Sequence, residues 1–132
     1  LFLHTVRHPL DAIASRARQD RQTLDQSAGI YLERERTALE VRRALGPERV
    51  QTVFLEDLIA QPVPVLQTLL EFMGLAGNPD LMEACRLLLY REPNLSRREY
   101  AWPAETLAAI RAGVEQLPHL ARYLDEGGEL TA

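Results

Sequence analysis

Arg7 and Ser15, eight residues apart, are the first residues whose types and spacing suit a chemical task. A guanidinium presents a planar fork of N–H donors and a hydroxyl adds one more, so a segment that converges them can hold a small oxyanion such as phosphate. A second group of donors lies in REPNLSRREYAWP, residues 91 to 103, where Arg97 and Arg98 stand close to Tyr100 and Trp102. That density of cations and aromatic surface makes Arg97 and Arg98 candidate phosphate ligands as well. Simpler roles compete with both assignments. Arg7 can pair with Asp11 or a distant carboxylate, and the second segment can be a surface loop pinned by Trp102.

Other reactive residues read as structural. Glu56 and Asp57 are adjacent carboxylates, but a metal site needs more oxygen or imidazole ligands at compatible spacing, and none is near. They suit the start of a helix, where negative charge is favoured. Cys85 shares a helical stripe with Leu81, Met82, Leu88 and Leu89, which predicts a buried thiol. His4 falls inside a strand-like run, and His119 beside Pro118 reads as a surface or packing residue. No metal is expected.

The elements that must position Arg7 and Ser15 are legible around them. Leu1, Phe2, Leu3, Thr5 and Val6 form a short apolar run, which predicts a strand at about 1–6 buried on both faces of a parallel sheet. Arg7 then stands at the strand's carboxyl end, the edge where open α/β sheets bind ligands. Pro9 suits the first position of a helix, Asp11 its positive end, and Ser15 its second turn. A long amphipathic helix follows from Arg21 to Leu45, with Leu24, Ala28, Tyr31, Leu32, Ala38 and Leu39 on its apolar face. Glu33, Arg34, Glu35 and Arg36 fall on its solvated remainder. Gly46 and Pro47 end it, and a second strand is predicted at about 50–55. Further helices follow: one after Pro62 and Pro64, one begun by Asn78 and Pro79, and one through Leu107, Ile110 and Val114. The first two of these are expected to pack on the sheet, and Gly127 and Gly128 to lead into a frayed end.

VRHPLDAIAS resembles the 3'-phosphate-binding segment of the sulfotransferase family, in which a strand runs into R-[DN]-P-x-D-x-x-x-S. VQTVFLEDLIAQPVPVLQTLLEFMGL, residues 50 to 75, resembles the family's second strand, its Y-E-D-L motif, a Pro-containing turn and a helix ending in F-L-G-L. The resemblance implies that Arg7 and Ser15 bind the 3'-phosphate of 3'-phosphoadenosine 5'-phosphosulfate (PAPS). It also implies that Arg97 and Arg98 belong to a C-terminal loop that closes over the nucleotide. His8 stands where the family has an acidic or amide residue, and Leu55 where an aromatic or arginine precedes the glutamate. NLSRRE does not reproduce the R-K-G form of one branch.

The implied fold is an α/β, P-loop NTPase-like three-layer domain, and the implied enzyme a PAPS-dependent transferase that moves a sulfuryl group to a hydroxyl or amine acceptor. All 15 basic residues are arginine, and no Gly-rich loop of the G-x-x-x-x-G-K-[ST] kind occurs. Residues 1–132 are therefore expected to be the C-terminal portion of one sulfotransferase domain, truncated before the 5'-phosphosulfate loop and inactive alone. The catalytic base is expected upstream, and the acceptor is unassigned.

Composition narrows the alternatives. A length of 132 residues with 46% apolar residues fits one domain with a core. A net charge of −4 gives no field for nucleic acid. No apolar run reaches membrane-spanning length, and a single cysteine agrees with a reducing, cytoplasmic setting. The rival readings are a kinase-like P-loop enzyme, which needs magnesium ligands, and a non-catalytic helical interaction domain.

Overall fold

The parallel strand pair expected at the sheet is present, formed by β1 (Phe2–Val6) and β2 (Val50–Phe54) with Phe2 opposite Val50 and Val6 opposite Phe54. The computed structural model describes residues 1–130. The order after β1 is α1 (Pro9–Asp20), α2 (Leu24–Leu45), β2, α3 (Leu55–Ala60), α4 (Pro62–Phe72) and α5 (Pro79–Leu88). A 3₁₀ segment (Ser96–Glu99), α6 (Ala104–Glu115) and a second 3₁₀ segment (Pro118–Tyr123) complete the chain. No helix among the described residues is long and apolar enough to cross a membrane.

Two compact units divide these elements. Residues 1–7 and 42–94 form the first, which holds both strands and α3 to α5. Val50 and Val53 are its buried strand residues beside Val6. Pro62 occupies the first turn of α4, where a missing N–H costs nothing. Asn78 caps α5 as its sequence predicts, its Oδ1 accepting from the backbone N–H groups of Asp80 at 2.8 Å and Leu81 at 3.4 Å. Glu56 and Asp57 lie in the first turn of α3.

Burial in this unit departs from expectation in two places. β1 is not covered on both faces: Leu1, Phe2, Leu3 and Thr5 are exposed. The helices that pack on the sheet, α3 and α4, contact β2. Nor is the stripe around Cys85 a core stripe, since Cys85 is half-buried while Leu81 and Leu88 are 47% and 85% exposed. α5 packs against α4, and no comparable packing of α5 on the strands accompanies it among the described residues.

The second unit, residues 8–41 and 95–130, has the denser core, built from Ile13, Ala14 and Ala17 of α1, Leu32 of α2, and Ile110 and Val114 of α6. Gly113 of α6 admits α2 closely, for a Cβ there would stand 2.5 Å from Leu32 Cδ1. The helix expected from Arg21 begins instead at Leu24, after Arg21 takes a left-handed conformation (φ 53°) that ends α1. A reciprocal cap fixes the new start. Thr23 Oγ1 accepts from the Gln26 N–H at 3.2 Å, and Gln26 Oε1 from the Thr23 N–H at 3.1 Å.

Further expectations meet the structure here. Glu35 is buried rather than solvated, with its Oε2 2.8 Å from Nε2 of His119, which takes the packing role of the two read for it. Residues 125–129 form an ordered turn, in which Asp125 Oδ1 accepts from the N–H groups of Gly127 at 2.9 Å and Glu129 at 2.8 Å, while the last part of the end expected to fray, residues 131–132, lies outside the described residues. Leu124 bridges Leu130, and Arg111 pairs with Glu129.

Candidate functional site

Arg7 stands where the sequence places it, immediately after Val6 at the carboxyl end of parallel β1. It is half-buried, and its Nη2 donates to the carbonyl oxygen of Asn94 at 2.9 Å. That bond steadies the guanidinium while leaving other N–H groups of the fork for a ligand.

His8 then begins α1. Its Nδ1 accepts from the Leu10 N–H at 3.3 Å, so an imidazole fulfils the capping role of the family's Asp or Asn. The geometry requires an unprotonated Nδ1. The ring is buried and meets Tyr123 edge-on, with centroids 5.2 Å apart and an interplanar angle of 68°. Tertiary packing therefore supplies what histidine lacks as a cap.

Ser15 lies half-buried in the second turn of α1. Among the described residues its hydroxyl makes no hydrogen bond, whereas Thr37 and Thr68 turn theirs onto the carbonyl four residues back, at 3.0 and 3.1 Å. A half-buried hydroxyl left uncommitted is a donor available to a ligand.

Arg97 and Arg98 separate in role. The carboxylate of buried Asp11 accepts twice from Arg97, from its backbone N–H at 2.8 Å and from its guanidinium Nη1. The Arg97 carbonyl in turn accepts from the Trp102 indole N–H at 2.9 Å. Arg98 is exposed and lines a cavity of about 350 Å³ together with Leu10, Trp102, Leu107 and Leu130. The other arginines on that wall have acidic partners, Arg97 in Asp11 and Arg111 in Glu115 and Glu129.

Asp11 is the residue that the sequence reading undervalued. It lies in the first turn of α1, as the helix dipole favours, and its side chain is in addition only 3% exposed. Around the helix it falls between Arg18 and Ser15, at the edge of the apolar face that Ala14 begins, so local spacing carries no clear signal of its burial. Glu99 was missed as well, although its two oxygens take 3.1 and 2.8 Å hydrogen bonds from Arg18 Nη1.

The sulfotransferase family model matches residues 1–79, a span that includes β1, Arg7, α1 with Ser15, β2 and the turn into α3. The chain belongs to the sulfotransferase family. Its fold is also that of solved sulfotransferase domains. One, from the Synechococcus PCC 7002 olefin synthase, superposes with a TM-score of 0.62 at 22% identity, covering 88% of this chain and 48% of that domain. Another, from the curacin biosynthetic pathway, gives a TM-score of 0.58 at 19% identity, covering 86% of this chain and 52% of that domain. This sulfotransferase chain thus spans about half the length of the solved domains it matches. No curated protein sequence matches it significantly.

Proposed function

We propose that the protein transfers a sulfuryl group from PAPS to a hydroxyl or amine acceptor, and that this chain carries the residues that hold the donor's 3'-phosphate. Family membership supports sulfuryl transfer in general. The uncommitted hydroxyl of Ser15, on the helix that follows Arg7, carries the assignment to these residues.

Each residue has a definable task. Arg7 offers charged donors from the end of a strand, and Ser15 adds a neutral donor from a helix whose N-terminal charge favours anions. Both match the family's 3'-phosphate ligands. Arg98, exposed and without an acidic partner among the described residues, is the better placed of the loop arginines to meet the nucleotide, while Arg97 acts through its hold on Asp11. PAPS supplies the sulfuryl group and leaves as adenosine 3',5'-bisphosphate. Anchoring a phosphate remote from the breaking bond orients the donor, so that binding energy assists the reacting centre. In this reading the chain is the C-terminal portion of a three-layer, P-loop-like domain, with the 5'-phosphosulfate loop and catalytic base outside it.

Calorimetric titration with adenosine 3',5'-bisphosphate and with adenosine 5'-monophosphate tests the proposal. The expected result is at least tenfold tighter binding of the bisphosphate, with part of that preference lost in Ser15→Ala. Equal affinity for the two nucleotides would reject the 3'-phosphate assignment.

A further inference from the structure

Two ion pairs fasten the 3₁₀ segment Ser96–Glu99 to α1, and Ser15 lies between them along the helix. Asp11 holds Arg97 at the N-terminal end, and Arg18 holds Glu99 at the other. At 100° per residue, Asp11, Ser15 and Arg18 fall within about 60° of one another around the helix. The same geometry puts Asp11 and Arg18 about 10 Å apart along the axis, with Ser15 roughly midway. The 3₁₀ segment therefore runs along the face of α1 that carries the uncommitted hydroxyl.

The two fastenings differ in kind. Asp11 and Arg97 have side chains only 3% and 13% exposed, and the backbone N–H of Arg97 shares the same carboxylate. Arg18 and Glu99 are half exposed. A buried, doubly bonded pair fixes position far better than a hydrated one. With three residues per turn, side chains 97, 98 and 99 point about 120° apart. Because Arg97 and Glu99 both bond to α1, Arg98 leaves the segment on a different side, in keeping with its exposure and its place on the cavity wall with Leu10 and Trp102. The seam also retains two buried donors without partners, Ser96 Oγ and Arg97 Nε.

We infer that Asp11 is a positioning residue for 3'-phosphate recognition: through Arg97 it locks the 3₁₀ segment beside Ser15 and keeps the Arg97 guanidinium off the anion. The inference rests on the proposed 3'-phosphate role of Ser15. Electrostatics alone predicts the opposite dependence on Asp11, since removing a carboxylate near an anion site raises affinity. A positioning role predicts a loss.

The test is the ratio of affinities for adenosine 3',5'-bisphosphate and adenosine 5'-monophosphate, measured in the wild type, Asp11→Asn and Glu99→Gln. The expected ratio is at least ten in the wild type, at least fivefold lower in Asp11→Asn, and lower by about twofold in Glu99→Gln. Arg97→Lys, which keeps a cation for Asp11, should retain more of the ratio than Asp11→Asn. A folded Asp11→Asn protein with an unchanged or increased ratio overturns the inference, as does an equal weakening of both nucleotides. If Asp11→Asn does not fold, the exposed Glu99→Gln substitution decides, and an unchanged ratio there overturns it. A wild-type ratio near one removes the 3'-phosphate reading itself, and this inference with it; a high wild-type ratio that Asp11→Asn leaves intact removes only the inference.

Discussion

Asp11 and Arg97, 86 residues apart, are joined twice, once through the Arg97 backbone N–H and once through its guanidinium. A carboxylate buried on the first turns of α1 thereby determines where a distant arginine-bearing segment lies. Removing one member of a buried pair leaves the other charged and uncompensated, which typically costs about 3–5 kcal/mol. Asp11→Ala should lower unfolding stability by about that amount in urea titration. Glu99→Gln, at the exposed pair, should cost less than about 1 kcal/mol. Similar costs for the two would show that the buried pair is no special anchor.

The His8 cap makes a separable prediction. His8→Ala removes the acceptor for the Leu10 N–H and the edge contact with Tyr123. Together these losses should amount to about 1–3 kcal/mol. His8→Asn keeps a cap acceptor while it loses the ring contact, so its cost in the same urea titration should be smaller. Equal costs would mean that the cap bond contributes nothing.

At Gly113 the limit is steric. A methyl group would stand 2.5 and 2.7 Å from the Leu32 methyl carbons, inside a packed core. Gly113→Ala should therefore destabilise by about 1–3 kcal/mol despite the better helix propensity of alanine. In a Leu32→Ala background the added methyl fills space instead, and a double-mutant cycle should show strong compensation.

Acid titration offers a local check in the first unit. The Glu83 carboxyl is held below its usual range, first by its hydrogen bonds from Arg86 and also by that residue's charge. A depressed native pKa means that any stabilisation from the pair is present above the unfolded carboxylate range and fades as pH falls through the native value. Arg86→Gln should move the Glu83 carboxyl back up when followed by NMR. A titration unchanged by the substitution would contradict the cause assigned to the shift.

What the sequence revealed follows from how local each signal is. Both strands, the helix start at Asn78–Pro79 and the tolerance of Pro62 in a first turn depend on neighbouring residues, and all appear as read. The places of Arg7 and Ser15 followed for the same reason. Glu35 reads as solvated, and the partner of Asp11 stays hidden, because His119 and Arg97 are 84 and 86 residues away from them. A charged residue in a mixed helix reads as solvated until such a partner is known. Cys85 failed in the other direction: helical spacing identified its apolar stripe, but spacing carries no information about what covers a stripe. The Asp125 turn was legible in principle, since Asp before Gly-Gly favours side-chain capping of a turn.

The most direct test of the account is the affinity of adenosine 3',5'-bisphosphate for the wild-type protein and for Arg7→Ala, measured by calorimetry. A charge-assisted hydrogen bond is worth about 1.5–3 kcal/mol, so the substitution should weaken binding by at least about tenfold. Affinity for adenosine 5'-monophosphate should change little. An Arg7→Ala protein that binds the bisphosphate as tightly as the wild type would contradict the assignment of the strand-end guanidinium to the 3'-phosphate.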